Sequence, residues 1–364
     1  MHLLMKSVMR KFGKYSCLVV LLLCSACIKE INFELGQQED QVVIFGTLSD
    51  QPGKHLFRVT RTNPFERQVD SAPIGGATLF VQDSKANKYP LVELEVGTYQ
   101  LKDTLFRAIA GEQYLLDVLL PGGEHYRSDV EVMPTPVQLD RAYPGLEVEE
   151  RSYDQTFQVF ADVNIPANQD GVYLRWEVSR VWRRTSIDFG ALFGNYLMYP
   201  DFPICYITED PEPNTIRIFG TKRKDAFTLR QQEVARVEAD IRFFERNAFE
   251  VVQYRISERA YDYWNDINLV GNPQGTIFDV PPATVRGNIY NVDNPKERIL
   301  GYFEVAAVDT AHTATERDIF RYSIDDPCRR DFTNPAWRAT FGFHPECADC
   351  TRIKGASEIV PKFW

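Results

Sequence analysis

At 364 residues, 44% of them hydrophobic and with a formal net charge of −10, the chain is long enough for two domains, each with its own apolar core. The acidic balance excludes nucleic acid as a partner and electrostatic attachment to anionic lipid, since both require a basic surface. Only five histidines occur in the chain, so chemistry that needs clustered imidazoles starts with few candidates.

The first predicted element is an export signal. Lys6, Arg10, Lys11 and Lys14 precede an apolar run, Leu18–Leu23, and the small residues Ser25 and Ala26 lead into Cys27. A basic start, a brief apolar core and small residues before a cysteine define a lipoprotein signal, and the run is too short and wrongly flanked to span a membrane. Cys24 follows Leu23, a poor small-residue site, so Cys27 is the expected lipidated residue. Processing there removes four basic and no acidic residues, leaving 338 residues at −14. Attachment is then expected through acyl chains, because diacylation with amine acylation buries enough methylene to hold a soluble domain at a membrane. Residues 27–41, polar and glutamine-rich, read as a tether.

From Val42 onward, short apolar or alternating runs recur about every ten residues between glycine, proline or asparagine, the pattern of a sandwich or barrel. Expected strands are Val42–Ser49, His55–Thr62, Ala77–Gln82, Tyr89–Leu94, Thr98–Leu101, Gln113–Leu120 and Tyr126–Val132. Turns fall at Pro52-Gly53, Gly75-Gly76, Gly97 and Pro121-Gly122-Gly123, where glycine supplies positive φ. The expected first domain, residues 42–134, is an Ig-like β-sandwich.

Met133-Pro134-Thr135-Pro136 reads as a short, stiff linker, since each proline fixes its own φ and biases its predecessor toward extended backbone. The second expected domain, residues 137–364, is larger and β-rich, so that the chain as a whole is mainly β with one inserted helix. Its strands are Phe157–Val163, Val172–Trp182, Thr215–Phe219, Val234–Phe243, Phe249–Ile256 and Ile299–Val308. In the second of these, Leu174, Trp176, Val178 and Trp182 share one face, with Arg175, Glu177 and Ser179 on the other, as in a sheet wet on one side.

The helix follows Ser257, which caps it, with Glu258 at its positive N-terminus and Gly271 to end it. Tyr261, Trp264, Ile267 and Val270 repeat every third residue; this stripe packs on the second sheet in one reading and forms a ligand platform in another. Four cysteines remain besides Cys27: Cys205, Cys328, Cys347 and Cys350. An even number in an exported chain points to two disulfides with three possible connectivities. A four-thiolate zinc site is the competing reading, for which Cys347 and Cys350 supply one knuckle while the second is missing. No strand-then-helix pattern of the thioredoxin kind surrounds that pair.

Several runs in the second half resemble a known family. Ala260-Tyr261-Asp262-Tyr263-Trp264, Phe278-Asp279-Val280-Pro281-Pro282, Gly287-Asn288-Ile289-Tyr290-Asn291 and Leu300-Gly301-Tyr302-Phe303, with Gly97-Thr98-Tyr99 earlier and Cys347, Cys350 and Pro361-Lys362-Phe363-Trp364 at the end, are similar to the Bacteroidota outer-membrane lipoprotein family called domain of unknown function 4249. The resemblance carries no catalytic residues. It implies an accessory lipoprotein working beside SusC-like TonB-dependent transporters in nutrient uptake, because members are often encoded next to them. In the same context Asp70-Ser71-Ala72, Asp103-Thr104-Leu105 and Asp309-Thr310-Ala311 resemble the short O-glycosylation sequon of exported Bacteroidota proteins, making Ser71, Thr104 and Thr310 the modification candidates.

Catalytic motifs are missing from the sequence. No histidine pair has helical ligand spacing, and a zinc-protease motif, a Gly-x-Ser-x-Gly elbow and a P-loop are all absent. Carboxylate pairs such as Glu149-Glu150 and Asp325-Asp326 read as solvated surface; Asp318, Asp325, Asp326 and Asp331 match no EF-hand spacing. Arg180, Arg183 and Arg184, and Lys222-Arg223-Lys224, read as strand-edge protection or as a surface for an anionic partner. The expected protein is therefore non-enzymatic, with no cofactor or metal. It is lipid-anchored at the outer membrane, facing the cell surface or the periplasm, and works beside a TonB-dependent transporter. A structural or assembly lipoprotein without a ligand is the alternative, and a hydrolase a more distant one.

Overall fold

A computed structural model describes residues 41–53, 55–62, 71–186, 203–213, 215–271, 285–324, 328 and 345–364. The expected signal, the lipidated Cys27 and the tether up to residue 40 lie outside the described residues. The fold is mainly β, as expected. Its strands in chain order are β1 (Val42–Ser49), β2 (Leu56–Arg61), β3 (Ala72–Pro73), β4 (Thr78–Asp83), β5 (Lys88–Glu95), β6 (Thr98–Leu101), β7 (Gln113–Leu119), β8 (His125–Ser128), β9 (Glu131–Val132) and β10 (Leu139–Val148). There follow β11 (Gln155–Ile165), β12 (Val172–Thr185), β13 (Ile204–Glu209), β14 (Arg217–Thr221), β15 (Phe227–Glu238), β16 (Asn247–Ile256), β17 (Ile289–Asn291), β18 (Leu300–Thr315) and β19 (Ala356–Ser357). Helix α1 spans Glu258–Gly271 and the short α2 spans Pro345–Ala348.

One sheet of 16 strands runs β17-β8-β7-β4-β5-β6-β2-β1-β18-β16-β12-β13-β19, with β3, β9 and β14 attached beside this path, and β10-β11-β15 form a second sheet. Strand β18 joins two cores. Its first half pairs in parallel with β1, matching Val43–Ser49 to Leu300–Ala306, and its second half pairs antiparallel with β16. Phe303, Val305 and Ala307 thereby complete a core built from Ile44, Phe57, Val81 and Leu116. The second core, around Phe157, Trp176, Phe249 and Val251, draws only on residues from Val137 onward.

Local patterning accounts for most of these elements. In β1, Val42, Ile44 and Leu48 are buried while Val43, Phe45 and Thr47 on the other face are half-buried, the period of two that a strand requires. The β5–β6 turn rests on Gly97 at φ +75°, where an added Cβ would also meet the Val59 carbonyl oxygen at 2.8 Å. Strand β10 crosses Pro144 and Gly145, residues that break strands, and carried no strand expectation. It survives because it is the edge of the three-stranded sheet, where a missing N–H is tolerated. The run expected as Val234–Phe243 ends as a strand at Glu238, and Asp240 then caps a tight turn over Ile241–Phe243.

The expectation that β12 has one wet face holds only in part. Glu177 is exposed and Ser179 half-buried on that face, but Arg175 is buried because α1 packs over it with Trp264; Arg180, on the opposite face, is buried as well. Nor do the arginines protect an edge: Arg180 is fully buried against Glu209 and the Phe243 ring, and Arg183 pairs with Glu245. Lys222 and Lys224 do lie at the surface, paired with Glu258 and Asp170.

Ser257 caps α1 as expected, its Oγ accepting from the Ala260 N–H at 3.1 Å. The same hydroxyl donates to buried Glu131 at 2.9 Å, tying the helix start to β9. Ser257→Ala removes the cap and strips Glu131 of one donor, so a loss of about 1–2 kcal/mol is expected, measured by urea denaturation. A change below a few tenths would show that the cap carries no stability here.

Candidate functional site

A convergence of aromatic and charged side chains lies on one face of the long sheet, under α1. Strand parity places the participants: Arg175 and Glu177 from β12, Tyr254 from β16, Tyr302 and Glu304 from β18, and Phe45 and Thr47 from β1. Helix α1 supplies Tyr263 and Trp264 from above. All of these but Tyr263, which packs behind Trp264, border a cleft of about 610 Å³ that opens past Thr47 toward Leu56, Arg58, Leu94 and Gln100.

Its floor is an ion-pair network. The Arg175 guanidinium donates to Glu304 at 2.9 Å and to Glu177 at 2.5 Å. Its Cζ lies 4.2 Å from the Tyr254 ring centroid and 4.7 Å from the Trp264 ring centroid, so both rings contact the cation. The second oxygen of Glu304 accepts from the Trp264 indole N–H at 2.7 Å, and Tyr254 donates to Glu177 at 2.8 Å. Phe45 stacks on Trp264 with centroids 6.4 Å apart and planes 18° from parallel. Tyr263 packs against Tyr302 at 4.8 Å, and the Tyr302 hydroxyl donates to Glu131 at 2.7 Å. The rings are thus held from below rather than left to rotate.

Electrostatics follow from this packing. Burial opposes the charge on Arg175, but Glu304 and Glu177 outweigh it and hold the guanidinium above its ordinary value. Burial and then the Glu177 carboxylate raise Tyr254, and burial followed by Glu304 raises Tyr263, so both hydroxyls stay protonated throughout the neutral range.

Buried His55 lies at the margin of the cleft. Its Nδ1 accepts from the Ser49 N–H at 3.2 Å, which leaves Nε2–H to donate to the Phe106 carbonyl at 3.0 Å. Burial lowers its pKa. The unfolded chain therefore binds this proton more readily, and stability falls as pH drops below the ordinary histidine value of about 6.5. Urea midpoints between neutral pH and pH of about 5.5 are expected to decline more steeply in the wild type than in His55→Gln; equal slopes would refute the assignment.

The sequence-predicted residues divide. All four remaining cysteines are bridged, as Cys205–Cys350 and Cys328–Cys347, so Cys347 and Cys350 bond away from each other and neither a shared zinc knuckle nor a redox pair forms. Non-reducing peptide mapping is expected to recover these two linkages; a Cys347–Cys350 linkage would overturn the connectivity. Ser71 and Thr104 are exposed, while Thr310 is half-buried inside β18, opposite Val252. Asp325, Asp326 and Asp331 lie outside the described residues, and among the described residues no group of three or more histidines, cysteines and carboxylates could hold a metal ion.

Of the helix stripe, Tyr261, Trp264 and Ile267 pack on the sheet, and Trp264 also borders the cleft. Glu304, Tyr254, Phe45 and Arg175 were not singled out as site residues from the sequence. A usable signal was present for Glu304, a lone acid inside the apolar run Tyr302–Val308, which cannot be buried without a cationic partner.

Of the residues that carried the family resemblance, 278–282 lie outside the described residues, and those around Asn288 and Gly301 hold the fold together. Asn288 brackets Phe303, accepting from its N–H and donating to its carbonyl, both at 2.8 Å, and Gly287 and Gly301 lie against each other and β1. Fold and site together define a mainly β protein with a preorganised aromatic and ion-pair cleft under a single long helix. The chain belongs to the family described as domain of unknown function (DUF4249), whose model matches residues 28–312. The matched stretch holds the cleft and its helix but ends before Cys328, Cys347 and Cys350. No curated protein matches the chain.

Proposed function

We propose that this protein is a lipid-anchored outer-membrane accessory that captures a ligand in the Phe45–Trp264 cleft and serves a SusC-like TonB-dependent transporter in nutrient uptake. The observation that carries the reading is the cleft: half-buried Phe45, Trp264 and Tyr254 are locked by a buried Arg175–Glu304 pair, an arrangement whose ordering is complete before any ligand arrives. Preorganisation of this kind favours binding, because little side-chain entropy is left to lose.

The role is non-catalytic. Arg175 and Glu304 are committed to each other and to neighbours, which leaves them poor candidates for a nucleophile or a general base. The anchor is Cys27, and the family match begins directly after it at residue 28. The resemblance to Bacteroidota lipoproteins encoded beside such transporters supplies the partner.

The test is purification of the tagged, lipidated protein from its native outer membrane in mild detergent, with mass spectrometry of what accompanies it. A stoichiometric TonB-dependent transporter is expected. Recovery alone, or with envelope-assembly machinery, would refute the accessory role and favour a structural lipoprotein.

A further inference from the structure

We infer that the cleft takes a neutral carbohydrate, laid with its C–H faces on the Trp264–Phe45 platform and its hydroxyls along the sheet rim. The inference rests on the capture reading above and specifies its ligand class.

Charge is the first argument. Two cations, Arg58 and Arg175, and two anions, Glu177 and Glu304, border the cleft, so their formal charges cancel. Arg175 already satisfies both carboxylates. An anionic ligand that drew Arg175 away would leave buried Glu304 without its cationic partner, and a cationic ligand that drew Glu304 away would leave buried Arg175 with only the exposed Glu177, losses that disfavour a charged ligand. A neutral ligand leaves the network intact.

Surface pattern is the second. Across adjacent strands, the pairing register sets Glu304 beside Thr47, Thr47 beside Leu56, Leu56 beside Gln100 and Gln100 beside Val92. With strands about 4.8 Å apart, the row from Thr47 to Val92 is about 14 Å long. It alternates hydroxyl, apolar, amide and apolar groups, with Leu56 44% and Val92 40% exposed. Sugars present the same alternation, apolar C–H faces between hydroxyls that both donate and accept. Aromatic rings with a fixed polar neighbour suit such a ligand, because one end of the contact is apolar and the other wet.

A peptide is disfavoured by topology. Strands β1, β2 and β6 are interior strands of the sheet, so their backbone groups are already in the ladder and there is no edge here for an extended peptide to join.

The experiment is titration of the intact processed protein, followed by tryptophan fluorescence and calorimetry. The probes are short glucan, xylan, mannan and galactan oligosaccharides, their uronate counterparts, and mixed oligopeptides. Saturable binding of at least one neutral oligosaccharide is expected. Gln100→Ala, at the half-buried rim, should weaken that binding about tenfold, the scale of one lost hydrogen bond, with an unchanged melting temperature. Leu94→Asp should weaken it as well, while Leu119→Asp, on a strand that does not border the cleft, should not.

Binding confined to uronates or peptides would overturn the ligand class and leave the capture role standing. So would neutral-sugar binding that both rim variants leave untouched, since the sugar would then lie elsewhere. Silence across the whole panel would overturn the inference, and copurification of the transporter then reads the accessory role independently.

Discussion

Replacing Arg175 with methionine is expected to cost about 3–5 kcal/mol of stability, because it leaves Glu304 buried with its cationic partner gone. Glu304 is 2% exposed and retains only the Trp264 indole N–H at 2.7 Å as a described side-chain donor. Urea denaturation measures the loss, and the double variant Arg175→Met with Glu304→Leu is the informative control. If the penalty comes from the orphaned carboxylate, the double variant recovers much of it, since apolar replacements of similar volume are often neutral. A loss below about 1 kcal/mol in the single variant would show that the carboxylate reaches water or protonates without strain. Trp264 fluorescence gives a second readout. With its guanidinium neighbour and the anchored carboxylate both altered, emission should shift to the red in the folded single variant.

The second large effect is expected at Gly301. Its φ is +100°, and a Cβ there would meet the Ile44 carbonyl oxygen at 1.9 Å. The obstruction is backbone in the partner strand of the parallel β1–β18 ladder, so no side-chain rotation relieves it. Gly301→Ala should therefore cost about 3 kcal/mol or more, adding overpacking to the conformational penalty. Gly111→Ala separates these two causes. Gly111 also has positive φ, at +81°, but nothing lies within 4 Å of its added Cβ, so a cost of only about 1–2 kcal/mol is expected there. Equal effects at the two positions would mean that the close approach of β1 contributes nothing. Gly287→Ala offers a further check from the other side, since its Cβ would meet the Gly301 carbonyl oxygen at 1.7 Å.

These two sites also explain what the family resemblance detected. Gly287, Asn288, Gly301 and Phe303 hold the place where β18 enters the first core. Trp264, from another of the recognisable runs, borders the cleft, with Tyr263 packed beside it.

How much was legible in the amino-acid sequence depended on how far apart the interacting residues lie along it. β1, β6 and α1 were expected with the boundaries they have, because alternation, a glycine turn and a serine cap act within a few residues. The mainly β character and the bridging of the four cysteines Cys205, Cys328, Cys347 and Cys350 were readable for a similar reason: composition and periodicity carry them. The connectivity of the disulfides was not, since Cys205 and Cys350 are separated by 145 residues and three pairings satisfy the same count. Arg175 and Glu304 are 129 residues apart, and nothing near either residue names the other. On β12 the alternation was read correctly, but that α1 covers Arg175 while Glu177 on the same face stays exposed is decided only by the tertiary structure. Periodicity thus assigned each residue to a face, while tertiary structure decided what covers that face. The physical reason is that burial and ion pairing are properties of chain segments brought together by loop closure, which no local pattern encodes.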